Sequence, residues 1–247
     1  MKSLSEYIKE SIFDIDGKPQ NQLEKTIKEE IKQFLKDNYK GASKCKISRK
    51  PNEDGKYVVD CKGALTMINT EASSLTNGTF VFGKVDDTFF CAYHDSLTSL
   101  EGAPQKVGGF SCAYCHSLTS LEGAPKEVGR RFSCSHCKSL TSLEGAPQKV
   151  GGDFNCSYCK SLTSLEGAPE KVGGDFKCCE CKSLTSLKGA PKEVRGEFDC
   201  YWCDSLTSLK GAPKWVGGDF NCGGNEQKFD EKEVREYIPH IGGKVYV

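Results

Sequence analysis

The sequence predicts a mainly β protein, a parallel β-solenoid with an N-terminal α+β cap and a C-terminal helical cap. A 22-residue unit, S-L-T-S-L-[EK]-G-A-P-x-x-V-x-G-x-F-x-C-x-x-C-x, recurs six times, with copies that begin at Ser96, Ser117, Ser139, Ser161, Ser183 and Ser205. A unit this short buries too little apolar surface to fold alone, so successive copies must stack on one another. The segments on either side lack the unit and carry helix signals, as caps on an open-ended stack should.

The N-terminal cap is expected to span residues 1–61. A capping-box pattern predicts a short helix over residues 3–12. A second helix is predicted over about residues 20–39, where apolar side chains recur on one face. Residues 44–49 and 56–61 are typical of two strands, because a proline- and glycine-containing turn separates them.

The repeat array is expected to span residues 62–225, as one degenerate and six regular repeats. The degenerate repeat lacks the G-A-P tripeptide, and such loss is expected in a terminal repeat, since one of its sides faces solvent. Residues 226–247 are predicted to form the C-terminal cap. Asp230 and Glu233 have capping-box spacing at the start of a helix, and the last three residues are expected to add an edge strand.

Within each copy the apolar positions are expected to point into the solenoid. In the fourth copy they are Leu162, Leu165, Val172, Phe176 and Cys178. Gly167 and Pro169 mark a corner, because glycine permits a positive φ and proline cannot extend a strand ladder. Equivalent residues should then lie one strand spacing apart, about 4.8 Å, so the six steps from Cys91 to Cys222 predict a stack of roughly 29 Å.

Composition restricts the classes of partner and the cellular compartment that can be expected for the protein. The chain has 34 basic and 34 acidic residues, hence a formal net charge of zero. A nucleic-acid-binding protein usually carries a basic excess, so no nucleic-acid partner is predicted. The charged first fifteen residues do not resemble a signal peptide, and no apolar run approaches the ~20 residues of a membrane helix. We therefore expect a cytoplasmic protein that does not contact a membrane.

No sequence motif indicates an enzyme. The chain contains no Walker-type loop, no G-x-G-x-x-G and no H-E-x-x-H. C-x-x-C motifs do occur, but a redox enzyme of the thioredoxin type places that motif at the start of a helix in a βαβ unit, whereas a β-solenoid is predicted here. We predict a protein without catalytic residues.

Cysteine usage is the most unusual feature of the composition, with 15 cysteines in the chain. Ten of them form C-x-x-C pairs: Cys112/Cys115, Cys134/Cys137, Cys156/Cys159, Cys178/Cys181 and Cys200/Cys203. Successive pairs fit a zinc-ribbon spacing, but the repeat period imposes this spacing by itself. Reduced thiols stacked in the core, with no cofactor, are therefore predicted. Zinc or an iron–sulfur cluster held by these pairs, and disulfides, are the alternatives.

The runs C-x-S-L-T-S-L, as in Cys115 to Leu121, resemble the leucine-rich repeat, particularly its short treponemal-type variant. The segment F-x-C-x-x-C lies where that family has L-x-L-x-x-N, and the last copy ends on the asparagine itself, Asn225. The resemblance implies a leucine-rich-repeat-like parallel β-solenoid. The SLTSLEGAP units are also similar to those of uncharacterised phage and gut-bacterial proteins. The first residues resemble the N-termini of proteins packaged in the heads of large tailed phages.

A column of variable residues is the candidate binding site. The position two residues after the first cysteine is occupied in turn by Tyr93, Tyr114, His136, Tyr158, Glu180 and Trp202, and Tyr201 and Lys177 lie beside it. Tyrosine and tryptophan are enriched at binding hot spots, although such rings can also serve only to cover the corner of each coil.

These features favour a non-enzymatic protein-binding scaffold, of phage origin and directed at a host protein if the resemblance holds. The partner's identity and the oligomeric state are left open. A metal-binding cysteine array and a structural or internal virion protein are the alternatives.

Overall fold

A computed structural model of the chain describes residues 20–247, and the predicted helix over residues 3–12 lies outside this range. The described chain is mainly β, a parallel solenoid of about nine turns with one helix before it and one near its end. The helices are α1 (Gln20–Asn38) and α2 (Glu231–Tyr237). Neither helix has the length and apolar content needed to cross a membrane.

The strands are short and follow one another around the coil. They are β1 (Tyr39–Lys40), β2 (Cys45–Ile47), β3 (Tyr57–Cys61), β4 (Leu65–Met67), β5 (Phe80–Phe90), β6 (Lys106–Ser111), β7 (Glu127–Val128), β8 (Phe132–Ser133), β9 (Lys149–Val150), β10 (Phe154–Asn155), β11 (Lys171–Val172), β12 (Phe176–Lys177), β13 (Glu193–Val194), β14 (Phe198–Asp199), β15 (Trp215–Val216), β16 (Phe220–Asn221), β17 (His240–Ile241) and β18 (Val245–Tyr246).

The N-terminal cap has the predicted helix and hairpin. Three residues at helical spacing on α1, Ile27, Ile31 and Leu35, are buried in the core. Strands β2 and β3 pair antiparallel, and a disulfide joins Cys45 and Cys61, which lie directly opposite each other. The sequence did not indicate this bond, because the two cysteines belong to no pair motif and meet only through the hairpin register.

Strand β5 connects the N-terminal cap to the repeat array. It pairs in parallel with β3 and β4 on one side and with β6 on the other. On the array side Val85 lies opposite Val107 and Phe89 opposite Phe110. The degenerate repeat therefore keeps the residues that face the next coil, and its other side, expected to face solvent, is covered by the cap strands β3 and β4.

Two parallel ladders run along the array. One joins the valine strands β7, β9, β11, β13, β15 and β17, and the other joins the phenylalanine strands β8, β10, β12, β14, β16 and β18. Strand β6 belongs to both ladders, because only Gly108 and Gly109 separate Val107 from Phe110. Later copies insert one more residue there, and the coil turns a corner between the two ladders.

The predicted columns of equivalent side chains are present in the core. Seven phenylalanines, Phe89, Phe110, Phe132, Phe154, Phe176, Phe198 and Phe220, are buried and stack face to face, with ring centroids 5.1 to 5.7 Å apart. In the fourth copy Leu162 and Leu165 are likewise fully buried. Each coil thus buries its apolar surface chiefly against the coils above and below it, as expected for a solenoid.

The C-terminal cap combines the predicted helix with one further coil. The Asp230 carboxylate accepts a hydrogen bond from the Glu233 backbone N–H at 2.7 Å and caps α2. After the helix, His240 lies opposite Trp215 in the valine ladder, and Val245 lies opposite Phe220 in the phenylalanine ladder. The predicted edge strand is therefore β18, and β17 continues the second ladder as well.

Candidate functional site

The paired cysteines form two columns inside the solenoid. The first column is Cys91, Cys112, Cys134, Cys156, Cys178, Cys200 and Cys222, and the second is Cys115, Cys137, Cys159, Cys181 and Cys203. All twelve are buried and carry free thiols. The strand alternation explains this burial, since the phenylalanine and the first cysteine of a copy are two residues apart and point to the same side.

Thiols of the second column bond the coils together. The Cys115 Sγ donates to the backbone carbonyl of Cys91, in the preceding coil, at 3.0 Å. The same contact, at 3.1 to 3.3 Å, joins Cys137 to Cys112, Cys159 to Cys134, Cys181 to Cys156 and Cys203 to Cys178. Each second cysteine therefore satisfies a carbonyl of the neighbouring coil.

Asn225 occupies the same column in the last copy and also bonds to the backbone, but through different groups. Its Nδ2 donates to the Cys222 carbonyl at 2.8 Å, and its Oδ1 accepts from the Cys203 backbone N–H at 2.6 Å. Cysteine and asparagine thus play related parts, each linking a buried side chain to the backbone of the coil. A buried polar backbone group left without such a partner would destabilise the fold by about 1–3 kcal/mol.

No group of three or more histidine, cysteine or acidic residues within residues 20–247 is arranged to hold a metal ion. The ten cysteines considered as zinc ligands lie in the apolar interior. Those of the second column donate their thiols to backbone carbonyls.

Burial raises the pKa of the Cys115 and Cys222 thiols to about 12. An unfolded chain ionises its thiols above about pH 8.5, whereas these two stay protonated in the folded state. The stability that each thiol contributes is therefore complete below that pH and is lost as the pH rises towards 12.

We expect the free energy of unfolding to fall between about pH 9 and pH 11, by about 1.4 kcal/mol per pH unit for each such thiol. In a Cys115→Ala variant the free energy of unfolding should fall less steeply with pH, by about 1.4 kcal/mol per pH unit. Urea unfolding at several pH values measures this slope. The control Ser111→Ala, which removes no thiol, should keep the parent's slope. An unchanged slope in Cys115→Ala would contradict the assignment.

The variable column has an unusual backbone. Its members Tyr93, Tyr114, His136, Tyr158, Glu180 and Trp202 all have left-handed φ values, between 54° and 64°. In the last copy the same position is Gly224, with φ 70°. A left-handed φ at this place turns the chain after the strand, and glycine adopts it without strain. A residue with a side chain raises the conformational energy there by roughly 1–2 kcal/mol.

Four of these side chains form one continuous stack. The ring centroids are 4.6 Å apart from Tyr93 to Tyr114, 4.1 Å from Tyr114 to His136 and 4.3 Å from His136 to Tyr158. Tyr93 is 67% exposed and Tyr158 38%. We call these four residues the ring stack.

Beyond the ring stack the column changes character. Trp202 stacks on Tyr201, with centroids 4.8 Å apart, and Lys182 lies 5.7 Å above the Trp202 ring. Glu180 forms an ion pair with Lys182 at 3.2 Å. The column therefore divides into two aromatic groups with a charged residue between them, which in-register repetition alone did not predict.

Lys177, the remaining candidate, lies between carboxylates. Its Nζ is 3.3 Å from Asp175 and 3.7 Å from Glu197. Asp175 Oδ1 also accepts a backbone hydrogen bond from Glu197 at 2.9 Å, as Asp153 does from Asp175 at 3.1 Å. This part of the strand face is acidic, and its one lysine is already paired.

A groove of about 520 Å³ runs beside the ring stack and was not predicted. Tyr93 and Tyr114 line one side and Arg130 and Arg131 the other. Small residues line it between them: Ala92, Gly109, Ser111, Ala113, Ser133 and Ser135. The signal in the sequence was this run of small residues at strand positions that become larger or charged in later copies.

A second groove, of about 710 Å³, lies on another side of the coil between the G-A-P corners and the valine ladder. Charged side chains border it, and several of them pair with one another, as Lys171 does with Glu193 at 2.7 Å. It has no aromatic lining. The strand face with the ring stack is therefore the better candidate for a specific contact.

Comparison of the chain with protein-family models, with curated proteins and with solved structures finds no match. The resemblance to leucine-rich repeats accordingly rests on the motif and on the contacts within the coil. What the protein binds has to be argued from the chemistry of its surface.

Proposed function

We propose that the protein is a non-enzymatic scaffold that binds another protein through the variable column and its neighbours. The supporting observation is that six successive coils place a residue with a side chain where the backbone favours glycine. Strained backbone tends to persist where function requires a particular side chain. Gly224 in the last copy of the repeat meets the same backbone requirement, so the turn itself needs no ring.

The exposed aromatic residues are of the kind that dominates protein interfaces. Trp202 is 46% exposed and Tyr201 36%, in addition to the two exposed ends of the ring stack. Tyrosine and tryptophan bury a large area on binding and lose little conformational entropy. Held in a rigid column, they would be preorganised for contact.

The family and origin form part of this proposal. We infer a leucine-rich-repeat-like coil, because Asn225 and the second-column cysteines link side chain to backbone where that family has its asparagine. A phage origin and a cytoplasmic host protein as partner are supported by the similarity of the SLTSLEGAP units alone.

Glycine substitution offers a direct test. We expect a variant with Tyr93→Gly, Tyr114→Gly, Tyr158→Gly and Trp202→Gly to lose its partner in affinity capture from host extract, because the rings are gone. Glycine suits the left-handed backbone, so the variant should still unfold cooperatively within a few degrees of the parent.

A variant away from the column serves as the control. Trp215→Ala removes an exposed aromatic residue of the valine ladder and should leave capture unchanged. Capture of the same partner by the parent and by the glycine variant would refute the column as the contact surface.

A further inference from the structure

Three cations lie on the strand face around the ring stack. Arg131 borders the groove on one side, and Lys138 and Lys160 follow the second cysteines of their copies on the other side. All three are exposed, and none forms an ion pair with an acidic residue in residues 20–247. Neighbouring basic side chains on the same face have acidic partners, since His116 Nδ1 lies 2.6 Å from Asp95 Oδ1 and Lys182 pairs with Asp204 at 3.0 Å.

The ring stack itself presents edges rather than faces to a ligand. Its planes lie within 11° of parallel at centroid distances of 4.1 to 4.6 Å, so the inner faces cover one another. The edge of an aromatic ring carries partial positive charge. The hydroxyls of Tyr93, Tyr114 and Tyr158 have no hydrogen-bond partner within the described chain and are free to donate.

Local electrostatics agree with this arrangement. Burial lowers the pKa of His136, in the middle of the ring stack, and the positive charges of His116, Lys138 and Lys160 lower it further. Lys138 and Lys160 are thus close enough to the ring stack to contribute a positive potential there.

The other half of the strand face has the opposite character. Asp153, Asp175, Glu197 and Asp219 follow one another in the position before the phenylalanine, where the earlier copies have Gly109 and Arg131. Asp199 adds a further carboxylate beside them. Although the net charge of the chain is zero, the charges on this face are unevenly distributed, with cations at one end and carboxylates at the other.

We infer that the cationic half of this face binds an acidic segment of a partner protein, an inference that rests on the proposed function and names the chemistry of its ligand. Carboxylates of the segment pair with Arg131 on one edge and with Lys138 and Lys160 on the other. Its apolar or aromatic side chains occupy the groove over the small residues beside Tyr93 and Tyr114. The acidic half repels the same segment and so fixes where along the solenoid it lies.

A single-stranded nucleic acid is the other polyanion with planar groups, and the geometry disfavours it. Proteins that bind single strands offer free ring faces on which bases stack. Here the ring faces inside the stack are occupied by neighbouring rings. The carboxylates at the far end would also repel a continuous phosphate backbone.

Fluorescence anisotropy with defined probes tests the inference. The probes are a fluorescein-labelled peptide of four Glu-Tyr pairs, its Gln-Tyr counterpart and a 20-nucleotide oligothymidine, each titrated with the full chain in 50 mM salt. Arg131→Glu, Lys138→Glu and Lys160→Glu are combined in one variant. Its matched control combines Lys126→Glu, Lys210→Glu and Lys232→Glu, which are exposed, unpaired within residues 20–247 and away from the strand face.

The parent should bind the Glu-Tyr peptide at least tenfold more tightly than the Gln-Tyr peptide, and rising salt should weaken the binding. The face variant should lose at least tenfold in affinity, while the control, with the same change in net charge, should match the parent. Equal binding of both peptides, equal binding by the face variant, or preference for oligothymidine would overturn the inference. If the glycine variant loses its captured partner and the face variant keeps it, the result supports the scaffold function and contradicts the acidic ligand.

Discussion

Replacing Phe176 by alanine should lower the free energy of unfolding by about 3–5 kcal/mol, the usual range for a buried phenylalanine. The ring is fully buried and stacks between Phe154 and Phe198, with both centroids 5.2 Å away. Its loss leaves a cavity in the middle of the column and removes contacts with two coils at once. Urea unfolding followed by circular dichroism measures the difference.

Phe90 provides the matched control, since it is the same residue type one position outside the column. It is 39% exposed and lies on the outer side of strand β5. Phe90→Ala should therefore change stability by only about 1–2 kcal/mol, because the ring is partly exposed and its removal leaves no closed cavity. Equal losses of unfolding free energy in Phe176→Ala and Phe90→Ala would mean that stacking in the buried phenylalanine column does not stabilise the core.

Gly167→Ala should be nearly as damaging, at about 4 kcal/mol, for a reason that lies in the stacking. Gly167 has φ 91°, which an alanine adopts only with strain. In addition, an alanine Cβ would meet the backbone of Leu143 and Glu144, in the preceding coil, closer than van der Waals contact allows. Backbone atoms cannot move aside as a flexible side chain can, so the two coils would have to separate.

Gly55→Ala separates the two contributions. Gly55 also has a positive φ, 74°, but nothing lies within 4 Å of the position its Cβ would take. We expect a loss of about 1–2 kcal/mol from backbone strain alone. Thermal or urea unfolding of both variants gives the comparison, and similar losses would show that the close approach of the coils contributes nothing.

The sequence determined the features that depend on local chemistry and on period. The 22-residue recurrence implied stacked coils, and alternation along the strand implied that Phe176 and Cys178 share the interior. Helical spacing placed α1, and the capping pattern at Asp230 placed α2. Each of these inferences depends only on residues that are close in the chain or one repeat apart, so the amino-acid sequence is sufficient to predict these features.

Tertiary structure decided the rest, because it depends on which side chains meet across coils. The Cys45–Cys61 disulfide follows from hairpin register, and the final coil of the array includes His240 after a helix that interrupts the repeat. The division of the variable column depends on where the long side chains of Lys182 and Trp202 reach.

The candidate site shows the same division most clearly. The sequence placed the variable side chains in one column, because equivalent positions of a solenoid stack. Their shared left-handed backbone, the groove beside Tyr93 and the lack of ion-pair partners for Arg131, Lys138 and Lys160 among residues 20–247 appear only once the coils are packed. Pairing of a charge depends on distances of a few ångströms between side chains on different coils, and these distances are set by the packing of the whole array.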